Sequence, residues 1–199
     1  MQQAEEASGV FERLGYPAQQ AYCLVSLAWL LLRKEQLDAA EESAFHAIDL
    51  LPEEGERRRV YECRRVLGQI YRSKGEMEKA THQFEITLGI ASALNRAEDL
   101  FWVHSDLAEM FTEQDRFSDA QTHLEHMKTF ASNNAYLLAR ASSQQAELWY
   151  KQDMFVEARS EALVALDAFE KLGSAHDAEF DRWLLKQIDA RWPGQLDHF

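Results

Sequence analysis

The chain of 199 residues is 46% hydrophobic and 28% charged, with a net charge of −13 and a pI near 5.0. That apolar content excludes a disordered chain, and the acidity opposes sequence-independent binding to nucleic acid or an anionic membrane. Only 3 prolines and 8 glycines occur, and Pro17, Pro52 and Pro193 fall between apolar periodic segments, which predicts an all-α fold.

In chain order, apolar periodicity predicts helices at 2–14, 18–33, 37–51, 56–74, 77–93, 96–113, 117–132, 135–152, 155–172 and 175–191. The opening residues lack a basic start with a long apolar core, and no window reaches about 18 uncharged apolar residues. A soluble cytoplasmic protein is expected. Cys23 and Cys63 are expected to be reduced and to serve as small apolar groups.

The helices repeat. "LDAAEESAFHAI", "MEKATHQFEITL", "FSDAQTHLEHMK" and "FVEARSEALVAL" align on Ala40, Ala80, Ala120 and Ala158, at spacings of 40, 40 and 38. Before each lies another aligned block: "CLVSLAWLLLRKEQ", "CRRVLGQIYRSKGE", "VHSDLAEMFTEQDR" and "ASSQQAELWYKQDM". Each unit is therefore a helix A followed by a helix B. Small residues at Ala28, Gly68, Ala108 and Ala146 let the two approach closely, and Tyr71, Phe111 and Trp149 fill space about one turn later. The stretches "ASGVFERLG" (7–15) and "ALDAFEKLG" (165–173) share Ala, Phe, Glu, Leu and Gly in register. The second ends helix B of the fourth repeat, so the first is expected to end helix B of a repeat whose helix A is missing. Phe180, Trp183, Leu184 and Ile188 give the last helix one apolar side, as a closing helix requires, before Pro193 and Gly194 stop it.

These blocks resemble the tetratricopeptide repeat (TPR): a large residue, Leu-Gly or Leu-Ala, an aromatic, a tight turn, and small residues at the helix crossing. Repeat two matches best, with Leu67, Gly68, Tyr71, Gly75, Ala80 and Phe84. Repeat one supplies Leu27, Ala28, Leu31, Ala40, Ala44, Ala47 and the helix-ending Pro52; repeat three Leu107, Ala108, Phe111, Phe117 and Ala120; repeat four Ala146, Trp149, Phe155, Ala158 and Ala165. The resemblance implies a single right-handed α-solenoid of TPR-like helix-turn-helix repeats: helix B of a truncated repeat (1–15), repeats at 18–55, 56–95, 96–134 and 135–173, and a capping helix (174–192). The 40-residue period resembles adaptors built from Leu-Gly-Asn repeats and arrays attached to signalling NTPases.

The resemblance also implies a concave face made mainly from the A helices. Its residues here are Tyr22, Val25, Trp29 and Arg33, then Arg65, Gln69 and Arg72, then Trp102, Ser105 and Glu109, then Arg140, Ser143 and Glu147. Trp29 and Trp102 either anchor a partner or pack on the neighbouring A helix. Arg57, Arg58, Arg59, Arg64, Arg65, Arg72 and Lys74 crowd one stretch. Arg65 and Arg72, seven apart, share a face that can hold an acidic peptide, or the 8 acids of residues 35–56 neutralise the stretch as a solvated face. The Lys and Asn positions with which some relatives grip chaperone tails hold Val25, Trp29, Arg65 and Gln69, so that clamp is absent. The Asn position of the Leu-Gly-Asn adaptors holds Ser26, Val66, Asp106 and Gln144.

His123 and His126 stand three apart on one helix but lack a third ligand on that face, so both are expected on its outer surface, with no metal. No phosphate-cradling glycine loop and no nucleophile motif is present. The expectation is a non-enzymatic, cofactor-free scaffold that binds a protein or peptide, neither nucleic acid nor membrane. The alternative is a structural or regulatory segment of a larger signalling protein that stacks or self-associates through its ends.

Overall fold

A computed structural model describes residues 2–51 and 56–192, and among these lie ten α-helices and no strand. They are α1 (Gln2–Leu14), α2 (Pro17–Leu32), α3 (Leu37–Asp49), α4 (Arg57–Ser73), α5 (Met77–Leu94), α6 (Ala97–Glu113), α7 (Phe117–Ala131), α8 (Ala135–Lys151), α9 (Phe155–Lys171) and α10 (Ala175–Arg191). The fold is all-α, built from the expected helix pairs. Helix α2 begins one residue earlier than expected because Pro17 is the first helical residue, where its missing N–H and fixed φ cost nothing. Expectations placed on Met1, Pro52, Pro193 and Gly194 lie outside the described residues.

The helices gather into two compact units, Met1–Arg96 and Ala97–Phe199, divided one residue from the expected junction of repeats two and three. In unit 1, α2 pairs with α3 and α4 with α5; in unit 2, α6 pairs with α7 and α8 with α9. Within each pair the crossing is made of small residues. Ala28, Ala40, Ala80, Ala108, Ala120, Ala146 and Ala158 are all buried. At Gly68 even one methyl is too many, since a Cβ there would sit 2.4 Å from a ring carbon of the fully buried Phe84.

The turns repeat as faithfully as the helices. The residue between A and B is left-handed in all four pairs: Glu35 (φ 59), Gly75 (φ 76), Asp115 (φ 57) and Asp153 (φ 60). The next N–H in each case reaches back to the last turn of helix A: Gln36 to the Leu31 carbonyl (3.0 Å), and Glu76, Arg116 and Met154 to those of Tyr71, Phe111 and Trp149 (2.9 Å each). Only repeat two uses the residue that takes this conformation without a Cβ penalty. Glu35→Gly is therefore expected to raise stability by about 0.5–1 kcal/mol, read as a higher urea midpoint at unchanged slope; Asp153→Gly gains less, because Asp tolerates the left-handed region better.

The repeated phrase near the two ends has the same backbone meaning in both copies. Gly15 (φ 69) and Gly173 (φ 70) stop α1 and α9, and the N–H groups of Tyr16 and Ser174 bond the carbonyls of Phe11 (3.0 Å) and Phe169 (2.9 Å). In unit 1, the ammonium of Lys74 at the end of α4 bonds Asp38 (2.6 Å) and Glu41 (2.5 Å) of α3, which raises its pKa and lowers both carboxyls. Cys63 is buried and its thiol is pushed up to about 12 by desolvation, so it is unreactive. Among the described residues no helix is long and apolar enough to cross a membrane.

Candidate functional site

The expected concave residues divide by unit. In unit 1 helix α2 carries no charged residue; from α4, Arg59 and Glu62 reach the surface it shares with α2 and Arg65 lies over Trp29, while Arg57 and Arg64 turn toward α5. Between α2 and α4 lies a surface cavity of about 230 Å³ lined by Tyr22, Val25, Ser26, Trp29, Arg59 and Glu62. A second of about 280 Å³, lined by Phe11, Gln19, Tyr22 and Arg59, shares two of those side chains.

Tyr22 stands 65% exposed between the two cavities, an unusual exposure for an aromatic with no structural task. Trp29 takes the packing alternative in part. It packs on the core of Ala21, Leu24, Val25, Ala47, Leu51 and Cys63, and it keeps a half-exposed face toward the cavity, where the Arg65 guanidinium lies 5.6 Å from its ring. Val25 is buried and forms the floor. Arg59, which the sequence reading left out of the face, is fixed by bonds to the Ala18 carbonyl (2.6 Å) and Glu56 (2.7 Å). Glu62 accepts from Arg58 at 2.7 Å. Gln69 and Arg72 are half-buried, and Arg33 is exposed at the end of α2.

In unit 2 the same positions bind one another. Gln144 of α8 donates to Ser105 (2.8 Å) and Glu109 (2.5 Å) of α6, and Arg140 donates to Glu109 (2.9 Å). Ser143 donates to Asp181 of α10 at 2.9 Å, and Asp177, 3.9 Å from Arg140, accepts from Tyr136 and Ser174. Ser105 and Ser143 are 2% exposed, so the expectation that they meet a partner is corrected: they seal the seam between successive A helices. Trp102 likewise takes the packing alternative, half-buried with its ring 5.3 Å from Phe101 and 6.5 Å from Tyr136. Glu147 is half-buried; desolvation and the charges of Glu109 and Glu113 raise its pKa.

The sequence reading missed this seam because it joins Ser105 to a residue 39 positions on and Ser143 to one 38 on, partners on separate helices that only the helix stacking brings together. It also placed both histidines of α7 on an outer surface. His126 is exposed, but His123 turns inward to His104 of α6, a residue 19 positions away that helical spacing on α7 cannot reveal. Among the described residues no group of three His, Cys, Asp or Glu is arranged to hold a metal ion.

No family model matches the chain, and no curated protein does. Among solved structures it is similar to BtubC (BKLC) from P. vanneervenii, at 18% identity with a TM-score of 0.70, covering 99% of this chain and 92% of that one. At that identity the likeness speaks to fold alone: the chain shares the all-α architecture of that protein along nearly its whole length.

Proposed function

We propose that the chain is a cytoplasmic, non-enzymatic scaffold of the tetratricopeptide kind, which takes an extended or helical segment of a partner protein along the α2–α4 face. The observation that carries this reading is the pair of adjoining cavities around Tyr22, walled by Phe11, Tyr22 and Trp29, floored by Val25 and edged by Arg59, with Arg65 over the Trp29 ring. An apolar side chain of the partner fills the cavity beside Trp29, and acidic groups next to it face the α4 arginines. Affinity of this type is micromolar, about −8 kcal/mol. The test is a proteome pull-down with wild type and a Tyr22→Ala, Arg65→Glu, Arg72→Glu variant of matched melting temperature, followed by titration of the captured segment. The variant is expected to bind at least about 10-fold more weakly, the loss of one buried anchor. Equal binding by both proteins refutes the groove.

A second reading, a segment that stacks or self-associates through its ends, is favoured by the exposure of Trp183 (50%) on α10 and of Val10 (41%) and Leu14 (60%) on α1. Light scattering separates the two. A mass that rises with concentration and falls back in Trp183→Ser supports stacking; a constant monomer mass refutes it.

A further inference from the structure

His104 lies on α6 with 6% of its surface exposed, and α7 brings two more imidazoles against it. Its Nδ1 is 2.8 Å from His123 Nδ1, and its ring stacks on His126 at 4.6 Å and on Phe130 at 5.7 Å between centroids. Phe111 of α6 stacks on His123 at 5.4 Å. Three imidazole rings are thus folded into an aromatic joint between the two helices.

An Nδ1 to Nδ1 contact of this length is a hydrogen bond only when one ring donates its N–H and the other accepts through a lone pair. At least one of the two imidazoles is therefore neutral whenever the contact exists. A doubly protonated pair sets two positively charged N–H groups against each other, with His126 adding a third charge beside them. Little is placed to compensate. The charges acting on His104 are those of His123 and His126; those acting on His123 are His126, Arg116 and the single opposing Asp119, all on α7. Helix α8, which packs on both, directs Arg140 to Glu109 and Asp177, and Lys128 of α7 to Gln145.

We propose that the three imidazoles form an acid-sensitive fastener, which holds α6 on α7 while the rings are neutral and loosens the hairpin once the His104–His123 pair is protonated. The proposal does not depend on what the α2–α4 face binds. Burial and mutual repulsion hold His104 and His123 down at about 4, against an ordinary 6.5. An unfolded chain takes up these protons near 6.5 while the folded one resists to about 4. The stability contributed by the neutral pair is thus complete above 6.5 and is lost as the pH falls from 6.5 toward 4.

The test is urea unfolding of the full chain at pH 7.5 and 5.0, wild type beside His104→Phe, which keeps a ring against Phe130 and removes the titrating partner of His123. Between these pH values the folding constant of the wild type is expected to fall about 10-fold further than that of the variant. Two measurements on the wild type stand even if the variant does not fold. By NMR, the His104 and His123 rings titrate below pH 5; amide exchange, corrected for intrinsic rate, shows α6 and α7 losing protection at pH 5.0 while α8 and α9 keep theirs. An equal pH response in wild type and variant, rings titrating near 6.5, or a loss of protection shared evenly by both hairpins overturns the proposal.

Discussion

Replacing Gly68 by valine is expected to lower the stability of the protein by about 3 kcal/mol. The Cβ alone would lie 2.4, 2.7 and 2.9 Å from three carbons of the Phe84 ring. Neither side has room to yield. Phe84 is 0% exposed, and Leu67, Ile70 and Ala80 around the crossing are 0% exposed as well, so the ring cannot turn away without displacing packed neighbours. The helix axes must separate instead, and the whole α4–α5 contact loosens. A second substitution identifies the cause. Phe84→Leu alone costs about 1–2 kcal/mol by leaving a void, but in the Gly68→Val background it vacates the space that the valine needs. The double variant is expected to be more stable than the sum of the two single losses predicts, by about 1–2 kcal/mol of coupling in a urea-unfolding cycle. Strict additivity would mean that the two residues do not compete for one space.

That prediction rests on a feature legible in the sequence, since Gly68 was read as a crossing residue from its register with Ala28, Ala108 and Ala146. Packing at a helix crossing repeats because each hairpin solves the same local problem, and a repeat of 40, 40 and 38 residues exposes the solution four times over. The left-handed turn residues were legible only in part. Gly75 signals its turn and Asp115 and Asp153 do so weakly, whereas Glu35 reaches the same φ with a side chain that does not favour it; there the flanking helices impose the conformation. The candidate face was less legible again. Its residues were assigned by position along each A helix, but position does not say whether the adjoining A helix offers a hydrogen-bonding partner. In unit 2 it does, through Gln144, Arg140 and Asp181, and the face closes. In unit 1 α2 meets the α4 arginines through the Ala18 carbonyl, which holds Arg59, and the Trp29 ring, which lies under Arg65, and two cavities remain around Tyr22.

The closed seam of unit 2 carries a cost that Asp181→Asn is expected to recover, raising stability at pH 8 by about 2 kcal/mol. Asp181 is 0% exposed, its Oδ1 accepts from Ser143 at 2.9 Å, and its Oδ2 has no partner among the described residues. Desolvation lifts its pKa from 3.8 to about 6, opposed by the Ser143 hydrogen bond and the charge of Arg140 and aided by Asp177. The sign follows from comparing the two states. Below 3.8 the carboxyl is protonated whether the chain is folded or not, and folding is unaffected. Between 3.8 and 6 the unfolded chain ionises while the folded one still holds its proton, so stability declines as the pH rises; above 6 the loss is complete and constant. Asparagine keeps the size of the side chain and an oxygen for Ser143 but never ionises, so it removes this decline. The advantage of the variant is therefore expected to be full at pH 8 and to shrink to under about 1 kcal/mol at pH 4.5, in urea titrations of both proteins. A variant less stable than wild type at pH 8 would show instead that the buried charge is held by Arg140 strongly enough to outweigh its desolvation. This dependence runs opposite to that of the imidazoles in the same unit: acid relieves the α8–α10 seam as it strains the α6–α7 joint. Wild-type stability alone would therefore understate both effects, and each emerges only against the variant that removes its own titrating group.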